Sequence, residues 1–226
     1  MMTEAWFTCA GARFVADPSG ALIWPERSLI VVADLHLEKG SAFARRGTLL
    51  PPYDTRATLT RLEALLARHR PRRVISLGDA FHDVGGARRL AATDRTRLRR
   101  LIAAHDWLWV LGNHDPQAPK GLGGRSEDGV ELGSIMFRHR PDGAGVDGEI
   151  AGHLHPKASI SVRGQRLSRP CFVGDRHRLV LPAFGSYTGG LDVRAPAIAG
   201  LFAGDIIVRL LGRRRVHLIA RSGGAS

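Results

Sequence analysis

The sequence predicts an α/β chain folded as a four-layer α/β/β/α sandwich, and three observations lead there. The first half alternates continuous apolar runs with amphipathic helical patterns, the signature of buried strands joined by helices. The second half reads almost entirely as strands, which suits a second sheet. Four apolar runs end in polar clusters: Asp34-Leu35-His36, Gly78-Asp79 with His82-Asp83, Gly112-Asn113-His114-Asp115, and Gly152-His153-Leu154-His155. Open sheets bind ligands beyond the carboxyl ends of their strands, so these clusters mark one site.

Taken in order, residues 8–24 predict a hairpin, with Asp17-Pro18-Ser19-Gly20 as its turn. Leu29–Ala33 is a buried strand, and alternation along it should put Asp34 and His36 on one face. In the stretch 39–52, Arg45 and Arg46 either meet substrate phosphate or stay solvated. Asp54 is placed to cap a helix over 54–69, whose Leu59, Leu62, Leu65 and Leu66 share a face, and Arg68, Arg70, Arg72 and Arg73 suit its negative end. Residues 73–77 are a second buried strand. A second helix over 88–105 carries Leu90, Leu98, Leu101 and Ile102 inward and six arginines between Arg88 and Arg100 outward.

Residues 106–111 form the third strand, with Trp107 and Trp109 as core and not as base-stacking platforms. A Gly- and Pro-rich loop over 116–128 should rim the cleft. A strand over 132–138 delivers His139, and alternation over 150–155 should again put His153 and His155 on one face. Strands follow over 158–162, 177–182, 205–210 and 216–220. The loop 185–190 is Gly-rich but lacks the Lys of a P-loop. Arg213 to Arg215 and Ser222-Gly223-Gly224 should be exposed. The whole is expected to be a single domain over 1–226, with a motif core at 28–190 and strands within 200–221 completing the second sheet.

Asn113 is the only asparagine in the chain. Its neutral amide oxygen can bind a metal beside carboxylates without adding charge, His114 can ligate or move a proton near neutral pH, and Gly112 should let the backbone turn sharply. The ordered set D-x-H, G-D, G-N-H-D, a lone His and G-H-x-H resembles the calcineurin-like metallophosphoesterase superfamily. Val32-Ala33-Asp34-Leu35-His36-Leu37-Glu38-Lys39, the Arg46-Gly47 before Pro51-Pro52, and Leu77-Gly78-Asp79 followed by His82 resemble one bacterial branch more closely, the ligase-associated DNA damage response endonucleases.

That resemblance implies two divalent metal ions: Mn first, with Fe or Zn also suited to mixed oxygen and imidazole donors. It implies that Asp34, His36 and His155 hold one ion, that Asn113, His139 and His153 hold the other, and that Asp79 bridges them. His114 is then left to stabilise the transition state or protonate the leaving oxygen, with Asp115 orienting it. His82 is read as a substrate contact or as a hydrogen-bond partner of a metal ligand. The function implied is a binuclear phosphodiesterase, a DNA endonuclease in DNA repair, working with a DNA ligase, a helicase and an exonuclease. The rivals are a small-molecule nucleotide or pyrophosphate hydrolase and a non-catalytic scaffold of the same fold.

A net charge of +12 favours a polyanionic partner such as DNA. Of the 33 basic residues only three are Lys, so base composition explains the choice of Arg but not the excess over acids. No stretch approaches the ~18 apolar residues of a membrane span, and no leader pattern opens the chain. Cys9 and Cys171 stand far apart without metal-like spacing and are expected as buried thiols in a reducing cytoplasm.

Overall fold

The computed structural model describes residues 5–143 and 146–221. Strands β1 (Ala5–Cys9), β2 (Ala12–Ala16) and β3 (Leu22–Trp24) form an antiparallel meander leading to β4 (Leu29–Ala33). The β2–β3 turn falls on the predicted Asp17–Gly20, while β1 adds a strand that alternation alone did not reveal. Helices α1 (Lys39–Ala44) and α2 (Asp54–His69) precede β5 (Arg73–Leu77). Then come α3 (Gly86–Arg89), α4 (Ala92–Ala103), β6 (Asp106–Val110) and β7 (Arg125–Glu127). These seven strands form one sheet in the order β1-β2-β3-β4-β5-β6-β7, parallel from β4 onward.

The second sheet is built from β8 (Gly129–Leu132), β9 (Ile135–Arg138), β10 (Glu149–Ala151), β11 (Lys157–Val162), β12 (Gln165–Gly174) and β13 (Arg178–Val180). After the single turn α5 (Pro196–Ala199), β14 (Ile206–Leu211) and β15 (Val216–Arg221) complete it. Its order is β15-β14-β12-β13-β10-β9-β8, with β11 paired to β12.

Alternation along the central strands divides the core. Ile30, Val32, Val74, Trp107 and Trp109 face α2 and α4, where Leu59, Leu62, Leu98 and Ile102 meet them. Leu29, Val31, Ile75, Leu77, Leu108 and Val110 face the second sheet and pack on Phe137, Ile150, Phe172 and Leu179. Each such side chain contributes about 1.5–3 kcal/mol on burial. The indoles are core, as expected, and Trp109 Nε1 donates to Gly123 O at 2.9 Å. The fourth layer is thin: behind the second sheet Val173, Val180 and Val208 are covered by Val193 and Ile198 of the α5 region.

Several local expectations are corrected. The helix over 88–105 is broken at Leu90, which turns extended (φ −49°, ψ 128°) and buries its side chain. Arg95 stabilises the break by donating to the α3 carbonyls of Ala87 (2.8 Å) and Arg88 (3.4 Å), one of the tasks left open at a helix C-terminus. Asp54 does not cap its own helix. Its carboxylate accepts the Gly40 N–H in the first turn of α1 (3.1 Å). The strand over 132–138 is a hairpin, β8–β9, turned at Gly133. Arg213 to Arg215 are exposed, and Ser222-Gly223-Gly224 lies outside the described residues.

Candidate metal centre

Register brings the polar clusters to one end of the sandwich. Ala33 pairs with Leu77, and Leu77 with Val110, so Asp34, Gly78 and Leu111 leave the first sheet side by side. In the second sheet Arg138 pairs with Ala151, so His139 and Gly152 leave together. A bridge between Ala33 and Ala183, with Phe184 N–H donating to Ala33 O at 2.8 Å, ties the sheets at that end.

Strand alternation does not aim the pairs. Asp34 (φ 53°), His36 (42°), Asp79 (41°), His153 (68°) and His155 (46°) are all left-handed, beyond the ends of their strands. Non-glycine residues rarely adopt that backbone, and clusters of them mark functional sites. Both members of each i, i+2 pair do reach the centre, but by repeated left-handed turns and not by a pleat.

Two groups form. His36 Nε2 lies 3.3 Å from His155 Nε2, which is 3.3 Å from Asp34 Oδ1. His139 Nε2 lies 3.1 Å from His153 Nδ1, 3.0 Å from Asn113 Oδ1 and 3.4 Å from Asp79 Oδ2. Asp79 Oδ2 also stands 3.9 Å from His36 Nε2 and 3.9 Å from His114 Nε2, so this one oxygen faces both groups. Its Oδ1 accepts the His114 N–H at 2.9 Å, and Asp34 Oδ2 accepts the His153 N–H at 2.9 Å. All seven residues expected as ligands are therefore together.

The donors fit cations. One ring N–H on His139 cannot serve three acceptor atoms, whereas a cation among them can. Among the described residues, Asp34 Oδ1, His36 Nδ1 and His139 Nδ1 are buried without hydrogen-bond partners. Burial pushes His36 down to about 3 and also lowers His153, so both rings stay neutral as ligation requires. Burial opposes the Asp79 charge, but the His139 hydrogen bond and charge outweigh it and hold this carboxyl well below the usual range. Burial likewise opposes protonation of His139, yet Asp79 and Asp34 raise it, a sign of negative charge awaiting a counter-ion.

The glycines of the motifs make room for one another's ligands. A Cβ on Gly78 would meet His139 Nδ1 at 2.0 Å, one on Gly112 would meet Asp79 Oδ1 at 2.1 Å, and one on Gly152 would meet Asp34 Oδ2 at 2.7 Å. Gly112 is thus required for space. Its φ is not in the left-handed region.

Around this centre, His114 Nδ1 lies 2.8 Å from His82 O, leaving Nε2 toward Asp79. The His82 ring stacks on His114 at 5.3 Å and edges His36 at 5.6 Å. Asp115 does not hold His114 as expected. Its Oδ2 accepts the Phe81 N–H at 3.0 Å, locking the two loops, and burial pushes its carboxyl up to about 7. Arg45 and Arg46 are exposed at the end of α1 without a hydrogen bond to the centre, although the Arg46 charge helps lower His82 after burial and Lys39. Sequence reasoning missed Lys39 and Lys157, which donate to Tyr187 O (2.8 Å) and Thr188 O (3.4 Å) and pin the 185–190 loop beside the centre. Their signal was rarity: they are two of three lysines.

A family model for calcineurin-like phosphoesterases matches residues 27–149, the span from β4 into β10. The chain belongs to that family. This phosphoesterase is also similar to the crystal structure of the nuclease MPE from Pseudomonas putida, at 30% identity over 96% of this chain and 100% of that one, with a TM-score of 0.75. Yfce, a phosphoesterase from E. coli, matches at 15% identity over 85% of this chain and 98% of that one, with a TM-score of 0.42. The comparison with curated proteins found no match. The phosphoesterase is a hydrolase with two groups of residues able to hold divalent metals, Asp34-His36-His155 and Asp79-His139-His153. Among its described residues no helix is long and apolar enough to cross a membrane.

Proposed function

We propose that the chain is a binuclear phosphodiesterase that cuts DNA as an endonuclease in DNA repair. The observation that carries the binuclear reading is Asp79 Oδ2, which faces His36 on one side and His139 on the other. On this reading Asp34, His36 and His155 hold one ion, Asn113, His139 and His153 hold the second, and Asp79 is shared. Two divalent ions, when bound, neutralise the phosphoryl oxygens and lower the pKa of water at the centre. Mn is proposed because the donors mix hard oxygens with imidazoles.

His114 works beside the ions. The His82 carbonyl accepts the hydrogen bond at Nδ1 and fixes the ring, so that Nε2 can deliver a proton to the leaving ester oxygen. Asp115 holds the loop that presents it, through the Phe81 amide. DNA as substrate is supported by the likeness to the MPE nuclease and by the net charge of +12. We further propose cytoplasmic action alongside a DNA ligase, a helicase and an exonuclease. The test is Mn-loaded protein on single-stranded, duplex and RNA substrates, with bis-p-nitrophenyl phosphate as a small diester. Cleavage of DNA that vanishes on chelation supports the reading. Turnover of the small diester without any cut in DNA refutes the nuclease assignment.

A further inference from the structure

A pocket opens between α3 and the 116–120 loop, walled in part by the segments that carry His82 and His114. Its walls include Phe81 and Asp83, which flank His82, and Asp115, which follows His114. Its apolar lining is Val84, Ala87 and Pro119, with Val84 73% exposed at the edge. Pockets of this kind, apolar with a few fixed charges, are how proteins hold flat polar ligands.

The charges at the rim decide what the ligand is. The six arginines of the 88–100 stretch are mostly consumed inside the fold. Arg89 forks onto Asp83 (2.8 and 2.9 Å), Arg97 onto Glu63 (2.9 and 2.7 Å), Arg95 caps α3, and Arg99 donates to Gly121 O at 2.8 Å. Arg88 and Arg100 have no side-chain partner among the described residues, and of these only Arg88 lines the pocket. Lys120, also exposed and without a partner among the described residues, lines it from the opposite loop. Of the acids there, Asp83 is engaged by Arg89, and Asp115, buried, accepts the Phe81 N–H with Oδ2. Two free cations on an apolar lining, beside a phosphate-cleaving centre, match a sugar and base followed by a second phosphate.

We propose that this pocket holds the nucleoside next to the scissile phosphate, with the following phosphate on Arg88 and Lys120. The proposal rests on the nucleic-acid reading of the centre. It makes the enzyme favour substrates that carry a phosphate on either side of one nucleoside.

The test uses the metal-loaded full chain hydrolysing bis-p-nitrophenyl phosphate, with thymidine 3′,5′-bisphosphate and thymidine 5′-monophosphate as competitive inhibitors. The bisphosphate should inhibit about tenfold more strongly, the effect of one or two charged hydrogen bonds. In Arg88→Ser/Lys120→Ser that ratio should fall to near one, with kcat/KM for the small diester unchanged. Val84→Glu, a change at an exposed position, should do the same by repulsion, and equal melting temperatures would show both variants folded. A ratio near one in the native protein, a ratio preserved in both variants, or a parallel loss of small-diester turnover would each overturn the proposal. Oligonucleotide cleavage by the native protein judges the nuclease reading separately, because the inhibitor ratio needs no nucleic acid to be cut.

Discussion

The Nδ1 of His114 stands 2.8 Å from the carbonyl oxygen of His82, so the ring is aimed by backbone and not by a carboxylate. On the proposed division of roles, losing this ring removes no ligand. His114→Ala should keep both metals and slow cleavage about 10²–10⁴-fold if proton donation is its part. The loss should be larger on plasmid DNA than on bis-p-nitrophenyl phosphate, whose leaving group departs without a proton. Equal losses on the two substrates would speak for charge stabilisation, and lost metal for ligation.

Asp79→Asn should empty both sites together, because the same oxygen faces His36 and His139. Metal content by elemental analysis, with turnover measured in parallel, checks this. A mutant retaining both metals and full turnover would remove the bridging role.

Gly112→Ala should mimic the Asp79 mutant although it touches no ligand atom chemically. The new methyl would sit 2.1 Å from Asp79 Oδ1 and 2.2 Å from its backbone nitrogen. Gly189→Ala, where a Cβ meets nothing within 4 Å, is the control and should leave metal content and activity intact.

Arg178→Ala should destabilise the fold by about 3–5 kcal/mol, since it removes the nearer cation from a buried carboxylate that then keeps only Arg138 Nε at 3.5 Å and the Asp142 N–H. Glu149 is fully buried, and its Oε2 lies 2.6 Å from Arg178 Nε. Urea unfolding reads the cost. A loss under about 1 kcal/mol would mean the pair is exchangeable with solvent.

Burial pushes both thiols, Cys9 and Cys171, up to about 12. The folded protein should resist a thiol reagent at pH 8 and react fully in denaturant. The sign for stability follows from the proton count. Above the ordinary thiol value of 9.0 the unfolded chain releases protons that the folded chain keeps, so this contribution is complete below that value and declines as pH rises toward 12. Rapid labelling of either thiol in the native state would contradict it.

The site was legible because each cluster follows an apolar run, and a buried strand end is a place where polar side chains must have a task. Parallel register then brings Asp34, Gly78 and Leu111 to one edge without further information. What stayed hidden depends on contacts between distant segments. Nothing local in Asp34-Leu35-His36 or His153-Leu154-His155 announces left-handed backbone, which the surrounding packing imposes. The break at Leu90 is invisible to periodicity because Arg95, a residue of the next helix, supplies the cap. β12 escaped notice because its first half, Gln165 to Arg169, is exposed and polar, and its pairing with β11 is what makes it a strand.

The hollows at Gly78, Gly112 and Gly152 are filled by His139, Asp79 and Asp34, each from a different segment. A lesion in one segment therefore leaves a defect in another. Grafting any one of these motifs onto a foreign scaffold would bring a side chain without its socket, or a socket without its side chain. For protein engineering the centre is portable only whole, with both sheets and their register. A homologue that abandoned catalysis could let all these glycines drift at once, but it could not easily shed them one at a time.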